Sequence, residues 1–116
     1  MTDSELLERV EDAFRQIIEA IEARGGLLEL DKKPDFSWAG IARLPSGKLL
    51  INLHKTGKQA APESHKLVAE ANVDLTLEGR FIARILVYAA GSEIEFPGGA
   101  HKPFDHAGIA KMFSSL

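Results

Sequence analysis

Residues 73–96 read VDLTLEGRFIARILVYAAGSEIEF, and apolar and polar side chains alternate along most of this stretch. An alternation with a period of two is typical of strands that bury one face. Two groups of turn-forming residues interrupt it, Glu-Gly-Arg at 78–80 and Ala-Gly-Ser at 90–92. The stretch therefore predicts three antiparallel strands in succession, separated by these turns.

Residues 36–54, FSWAGIARLPSGKLLINLH, lie upstream and predict a hairpin that turns at 45–47. Apolar residues fall on one face of each of its strands, and we expect that face to be buried. Residues 27–31, LLELD, predict one further short strand. The segment 63–72, ESHKLVAEAN, is predicted to be a short helix, with an extension of the following strand as the alternative.

An amphipathic helix is predicted over residues 4–24, because apolar residues recur there at the 3-4-3-4 spacing of one helix face. These residues are Leu7, Val10, Phe14, Ile17 and Ile21. Thr2 and Glu5 have the spacing of a capping box, and the two glycines at 25–26 predict the end of the helix.

A second, shorter helix is predicted near the end of the sequence, capped by Asp105 and running to Met112 or Phe113. The elements then follow the order helix, three strands, short helix, three strands, helix. This order predicts an α+β fold, with an antiparallel sheet of five to six strands and the long N-terminal and short C-terminal helices packed on one face. Because 116 residues is a typical domain size, we expect a single α+β domain over 1–116.

The composition excludes several classes of site. The chain has no cysteine, which excludes disulfides, thiolate nucleophiles, zinc–thiolate sites and iron–sulfur clusters. The first residues are acidic where a signal peptide is basic and then apolar, and no run of about 18 apolar residues occurs. We therefore expect a cytoplasmic protein that does not enter a membrane.

Acidic residues are concentrated in the predicted first helix. Residues 1–31 contain nine acidic and three basic residues. The outer face of this helix could steer association with a basic protein surface, so we predict it as the binding surface for another protein, with a homodimer as a further possibility. The residues predicted for this surface are Glu8, Glu11, Asp12, Glu19 and Glu22.

Basic residues are concentrated in the middle of the chain, where 40–62 hold four of them and no acidic residue. An alternative hypothesis is therefore a nucleic-acid-binding surface in the segment 43–66, with Trp38 stacked on a base. Its basic residues are Arg43, Lys48, Lys55, Lys58 and Lys66. The simpler interpretation is that Trp38 belongs to the core and that the charges are solvated.

A third hypothesis is a small metal-dependent enzyme. His101, Asp105 and His106 could meet at the start of the last helix and offer nitrogen and oxygen ligands to zinc or another divalent ion. The simpler interpretation makes Asp105 a helix cap and leaves both histidines in solvent. Glu93 and Glu95 point to the same side of one strand, and a solvated outer face explains them.

No motif for nucleotide binding or for a serine nucleophile occurs in the sequence, and no cofactor is expected. By elimination, we predict a non-catalytic protein-binding module, such as an inhibitor, an immunity protein or a chaperone-type accessory protein.

Overall fold

The computed structural model describes residues 2–56, 69–88 and 91–114. Within these ranges the helices are α1 (Asp3–Ala23) and α2 (His106–Ser114). The strands are β1 (Leu28–Asp31), β2 (Ala39–Leu44), β3 (Gly47–Lys55), β4 (Ala71–Leu77), β5 (Arg80–Tyr88), β6 (Gly91–Glu95) and β7 (His101–Pro103). They form one sheet in the order of the chain, and each strand is antiparallel to the next.

Helix α1 begins and ends as its sequence predicts. The Thr2 hydroxyl accepts a hydrogen bond from the Glu5 backbone N–H at 3.2 Å and lies 3.0 Å from the Glu5 carboxylate. Gly25 adopts a left-handed conformation with φ of +81° and ends the helix. The apolar stripe packs on the sheet, where the rings of Phe14 and Trp38 lie 5.3 Å apart.

Helix α2 lies beside α1 on the same face of the sheet. The Asp105 carboxylate accepts a hydrogen bond from the Gly108 N–H at 2.8 Å, so the predicted helix cap is confirmed. Gly108 fits closely, because a Cβ there would meet the Pro103 carbonyl oxygen at 2.3 Å and the Ile94 side chain at 3.1 Å. Ile94 is fully buried, so this approach places α2 on the core side of β6.

The α+β prediction is confirmed, but the sheet has seven strands where five to six were expected. The additional strand is β7. The sequence Pro-Gly-Gly at 97–99 does not end the sheet but forms a turn, in which the Gly99 N–H donates to the Phe96 carbonyl oxygen at 3.0 Å. Positive φ angles at Gly98 and Gly99 let the chain reverse there and pair β7 with β6.

The short helix predicted over 63–72 lies mostly outside the described residues. Its last four residues, 69–72, are described, and there the helix prediction is wrong: none of them is helical, and Ala71 and Asn72 extend β4 and pair with β3 and β5, as the alternative predicted. The alternating apolar side chains of β4 extend back to Ala71, so the strand pattern prevails over helix formation at this end.

The core lies between the sheet and the two helices. All described residues predicted to share the inward face of the hairpin are buried there, including Trp38, which is 4% exposed. No polar or charged residue is buried in the described part of the chain. The polar groups are therefore concentrated on the helix exteriors and on the opposite side of the sheet.

Candidate functional site

The side of the sheet opposite the helices is the candidate functional site, and we call it the uncovered face. Within the described residues, no helix or strand packs on it. Its side chains alternate along each strand with those of the core, as the burial of β2 shows: Ala39, Ile41 and Arg43 are exposed and the residues between them are buried. Two parallel rows of side chains cross this face from strand to strand.

The first row is apolar. Ile41 on β2 stands opposite Leu50 on β3, Leu50 stands opposite Thr76 on β4, and Thr76 stands opposite Phe81 on β5. Ile41 is 42% exposed, which is high for a large apolar side chain in the middle of a strand. On β1, Glu29 stands opposite Ile41, so the apolar row ends at β2. The row is therefore open to solvent at its β2 end.

The second row is charged. Asp74, Arg84, Glu95 and His101 stand opposite one another in turn on β4 to β7. Arg84 Nε lies 2.6 Å from Asp74 Oδ1, and Arg84 Nη1 lies 3.3 Å from Glu95 Oε1. Glu95 Oε2 lies 3.2 Å from His101 Nε2, so the ion pairs run without a break across four strands. We call these four residues and Glu93 the charged row.

His101 ends the charged row between two carboxylates. Its Nδ1 lies 3.1 Å from Glu93 Oε2, while Nε2 faces Glu95. Hydrogen bonds to Glu95 and Glu93 raise the pKa of His101 above the ordinary imidazole value. Hydrogen bonding to Asp74 likewise raises the pKa of Arg84, which stays charged. With His101 protonated, the row carries three negative and two positive charges.

A β-bulge aligns the charged row. At the turn Leu77 stands opposite Arg80, and a regular hairpin would then place Asp74 opposite Ala83. The register shifts by one residue between Leu75 and Thr76, so that Asp74 meets Arg84 instead. The alternation of the sequence does not predict these contacts, and the available signal is the apolar run at 81–83, which breaks the alternation as a bulge does.

Most of the acidic residues predicted on α1 have a basic neighbour within the chain. Asp12 and Glu19 both pair with Arg15, and Glu11 lies 3.7 Å from Lys32. The remaining two, Glu8 and Glu22, are exposed and make no ion pair within the described residues. The net negative charge of this helix face is therefore smaller than its count of acidic residues suggests. The role of this face in binding stays a prediction.

The structure does not bring the described residues of the basic segment together. Arg43 and Lys48 are neighbours on β2 and β3, but Lys55 lies at the far end of β3, about 24 Å away at 3.4 Å per residue. Lys55 Nζ is 2.9 Å from an Asp3 carboxylate oxygen. Lys58 and Lys66 lie outside the described residues.

Trp38 belongs to the core, as the simpler interpretation expected. A cleft of about 420 Å³ opens near it, between the start of α1 and the loop 32–38. Two aromatic rings line this cleft, but they offer little surface to a ligand, because Trp38 is 4% and Phe36 is 9% exposed. Phe36 has a positive φ of 62°, a conformation that turns its side chain inward at some backbone strain. A nucleic-acid base could stack on the Trp38 ring only if that ring left its buried position in the core.

The predicted metal ligands take separate roles. Asp105 caps α2, and His101 lies between Glu93 and Glu95. Those two carboxylates contact different nitrogens of the imidazole ring, so their oxygens do not converge with a ring nitrogen on one point. No group of three or more histidine or acidic side chains suited to a metal ion occurs within 2–56, 69–88 and 91–114.

Comparison with known proteins gives no further guide to the site, since no family model, curated protein or solved structure matches this chain. Neither α1 nor α2 is long and apolar enough to cross a membrane.

Proposed function

We propose that this protein is a non-catalytic protein-binding module, of the inhibitor, immunity or chaperone-type accessory class, and that it docks on its partner through the uncovered face. The observation that supports this proposal is the pairing of an open apolar row with a fixed charged row. Protein interfaces combine desolvated apolar anchors with charges that set orientation.

The dimensions of the uncovered face suit a protein partner. Seven strands at a spacing of about 4.8 Å span about 29 Å, and an average strand of about six residues adds about 20 Å. The resulting area of roughly 600 Å² approaches the 800 Å² or so that each partner contributes to a standard interface.

The charged row favours specific recognition of a partner over non-specific apolar association. Asp74, Arg84 and Glu95 are held by their mutual contacts, so little side-chain entropy remains to be lost when a partner arrives. The two rows run about 7 Å apart, two residues along the strands; Leu50 lies one strand away from Asp74, and Ile41 lies two strands away from it. We therefore infer that the apolar row supplies affinity and the charged row supplies orientation.

Site-specific photo-crosslinking tests this proposal. A benzophenone amino acid placed at Ile41 should crosslink a protein in nuclease-treated lysate of the source cells, whereas the same label at Glu8 on α1 should not. The crosslinked protein is then purified, and Ile41→Lys should weaken its binding by about tenfold or more, because a charge would enter an apolar contact.

The matched control is Glu8→Lys, which changes an exposed helix residue. It should leave the dissociation constant within about twofold, and both variants should melt like the wild type. Loss of binding in Glu8→Lys with retention in Ile41→Lys would assign the partner to α1 instead. Crosslinks to nucleic acid in untreated lysate, and none to protein after nuclease, would contradict the proposal altogether.

A further inference from the structure

The two edges of the sheet differ in their ability to accept another strand. β7 is three residues long and ends in Pro103, which has no backbone N–H to donate. β1 contains LELD, without proline or glycine, and among the described residues it pairs on one side only, with β2. Its outer backbone groups are therefore a regular template for strand addition.

We propose that β1 accepts an extended segment of the partner as an eighth strand, with basic side chains on the uncovered face and apolar side chains toward α1. This inference rests on the proposed protein-binding function and specifies how part of the partner is recognised. It follows from the side chains of β1, which are apolar on the side facing the helices and acidic on the uncovered face.

The side of β1 that faces the helices is apolar. Leu28 and Leu30 point there and are only partly buried against the core. Leu7, Glu11 and Ile18 share one flank of α1 by their spacing, and the contact of Glu11 with Lys32 places this flank beside the end of β1. Leu7 is 37% exposed. A strand added at this edge would place its inward side chains against this flank and the two leucines.

The side of β1 on the uncovered face is acidic. Glu29 and Asp31 alternate with the leucines, and both are exposed. Lys33 Nζ lies 3.6 Å from Asp31 Oδ2 and pairs with it. Glu29 has no ion pair within the described residues. Cross-strand pairs of opposite charge are favourable, so the added strand should carry lysine or arginine at the facing positions.

The same charges disfavour a second copy of this chain at the edge. An antiparallel β1 pair would bring Glu29 and Asp31 of one copy beside those of the other on the same face. Like charges that stand opposite one another on neighbouring strands are destabilising. Acidic residues on an edge therefore act against self-association while leaving the edge open to a basic strand.

A blocked heptapeptide of alternating lysine and valine is the probe that tests this inference on the intact protein. In an NMR titration it should shift the amide signals of Leu28 to Asp31 and slow their hydrogen exchange. A glutamate–valine peptide is the matched control and should leave them unchanged. In Glu29→Lys/Asp31→Lys, the preference between the two peptides should reverse.

Backbone methylation separates strand addition from simple charge attraction to the acidic protein. Alternate N–H groups of a strand point to the same neighbour. One N-methyl group on the central valine, or on the lysine next to it, should therefore weaken binding by about tenfold in one position and by less than twofold in the other. Equal effects at both positions, or shifts confined to α1, would overturn the inference.

Two further results would also overturn it. A stable dimer in sedimentation whose formation protects β1 from exchange would assign the edge to a second copy. Alternatively, the crosslinked partner could bind with unchanged affinity to Glu29→Lys/Asp31→Lys while Ile41→Lys still weakens it. That second result would reject the added strand and leave the proposed function standing.

Discussion

The two faces of the sheet are built from neighbouring residues of the same strands, yet they are completed in different ways. On the core side, β3 contributes Leu49 and Ile51, both 0% exposed beneath the helices. On the uncovered face the same strand contributes Leu50 and Asn52, with the charged row beside them. Apolar packing is non-directional, whereas ion pairs fix positions. The uncovered face is therefore ordered without being sealed, which suits a surface that meets a partner.

The adjacent leucines of β3 give the sharpest test of this difference. Leu49→Ala should lower the free energy of unfolding by about 2–5 kcal/mol, because it leaves a cavity in a closed core. Leu50→Ala should cost about 1 kcal/mol, since a half-buried leucine contributes roughly half of its full burial energy. Urea unfolding followed by the fluorescence of Trp38, the single tryptophan, measures both.

The pair is matched in residue type, strand and position, so the difference between the two costs reports the environment of each face. Equal costs would mean that the uncovered face is closed in solution, by another copy or by other residues of the chain. The comparison between the faces would then fail.

Removal of the central cation of the charged row should have the next largest effect. Arg84→Met leaves Asp74 and Glu95, whose side chains are 25% and 27% exposed, facing each other without their shared partner. We expect a loss of about 1–2 kcal/mol in urea unfolding, as for hydrogen bonds between charged groups that are partly exposed.

Arg43→Met is the matched control for Arg84→Met. Arg43 is exposed on the same face and makes no ion pair within the described residues, so its loss should cost less than about 0.5 kcal/mol. A double-mutant cycle with Asp74→Asn should show coupling between Arg84 and Asp74. If Arg84→Met and Arg43→Met lower the free energy of unfolding equally, the charged row does not order the uncovered face.

The sequence predicts which face each of these residues occupies, but not which residues meet. The period of two separates Leu49 from Leu50 and places both Glu93 and Glu95 on one side. Contacts across strands depend on register, and register depends on the bulge at Leu75/Thr76, where local sequence allows more than one pairing. For this reason β1 to β6, α1 and α2 were predictable and the charged row was not.

The missed strand β7 has a similar cause. Pro-Gly-Gly at 97–99 is compatible with the end of a sheet and with a tight turn between two strands. Only the pairing of His101 with Glu95 across β6 and β7 distinguishes these outcomes, and that pairing is not local in sequence. The sequence without this pairing leaves His101 in solvent, where it is a candidate metal ligand.

The smallest expected effect is the pH dependence that His101 gives to the uncovered face. Its pKa is raised in the folded protein, so its stabilisation is fully present below the unfolded value of about 6.5 and is lost as pH rises through the folded value. The stability difference between wild type and His101→Gln should thus be larger at about pH 5.5 than at about pH 9. Urea unfolding at several pH values measures this difference.

His54→Gln is the matched control for this series, because His54 is exposed on the same face and forms no ion pair within the described residues. Subtracting the stability change of His54→Gln from that of His101→Gln at each pH removes the general effect of losing an imidazole. A His101 contribution that grows with rising pH would contradict the expected sign. It would mean that the ring acts as a neutral hydrogen-bond donor to only one of Glu93 and Glu95, and that the charged row is ordered by Arg84 alone.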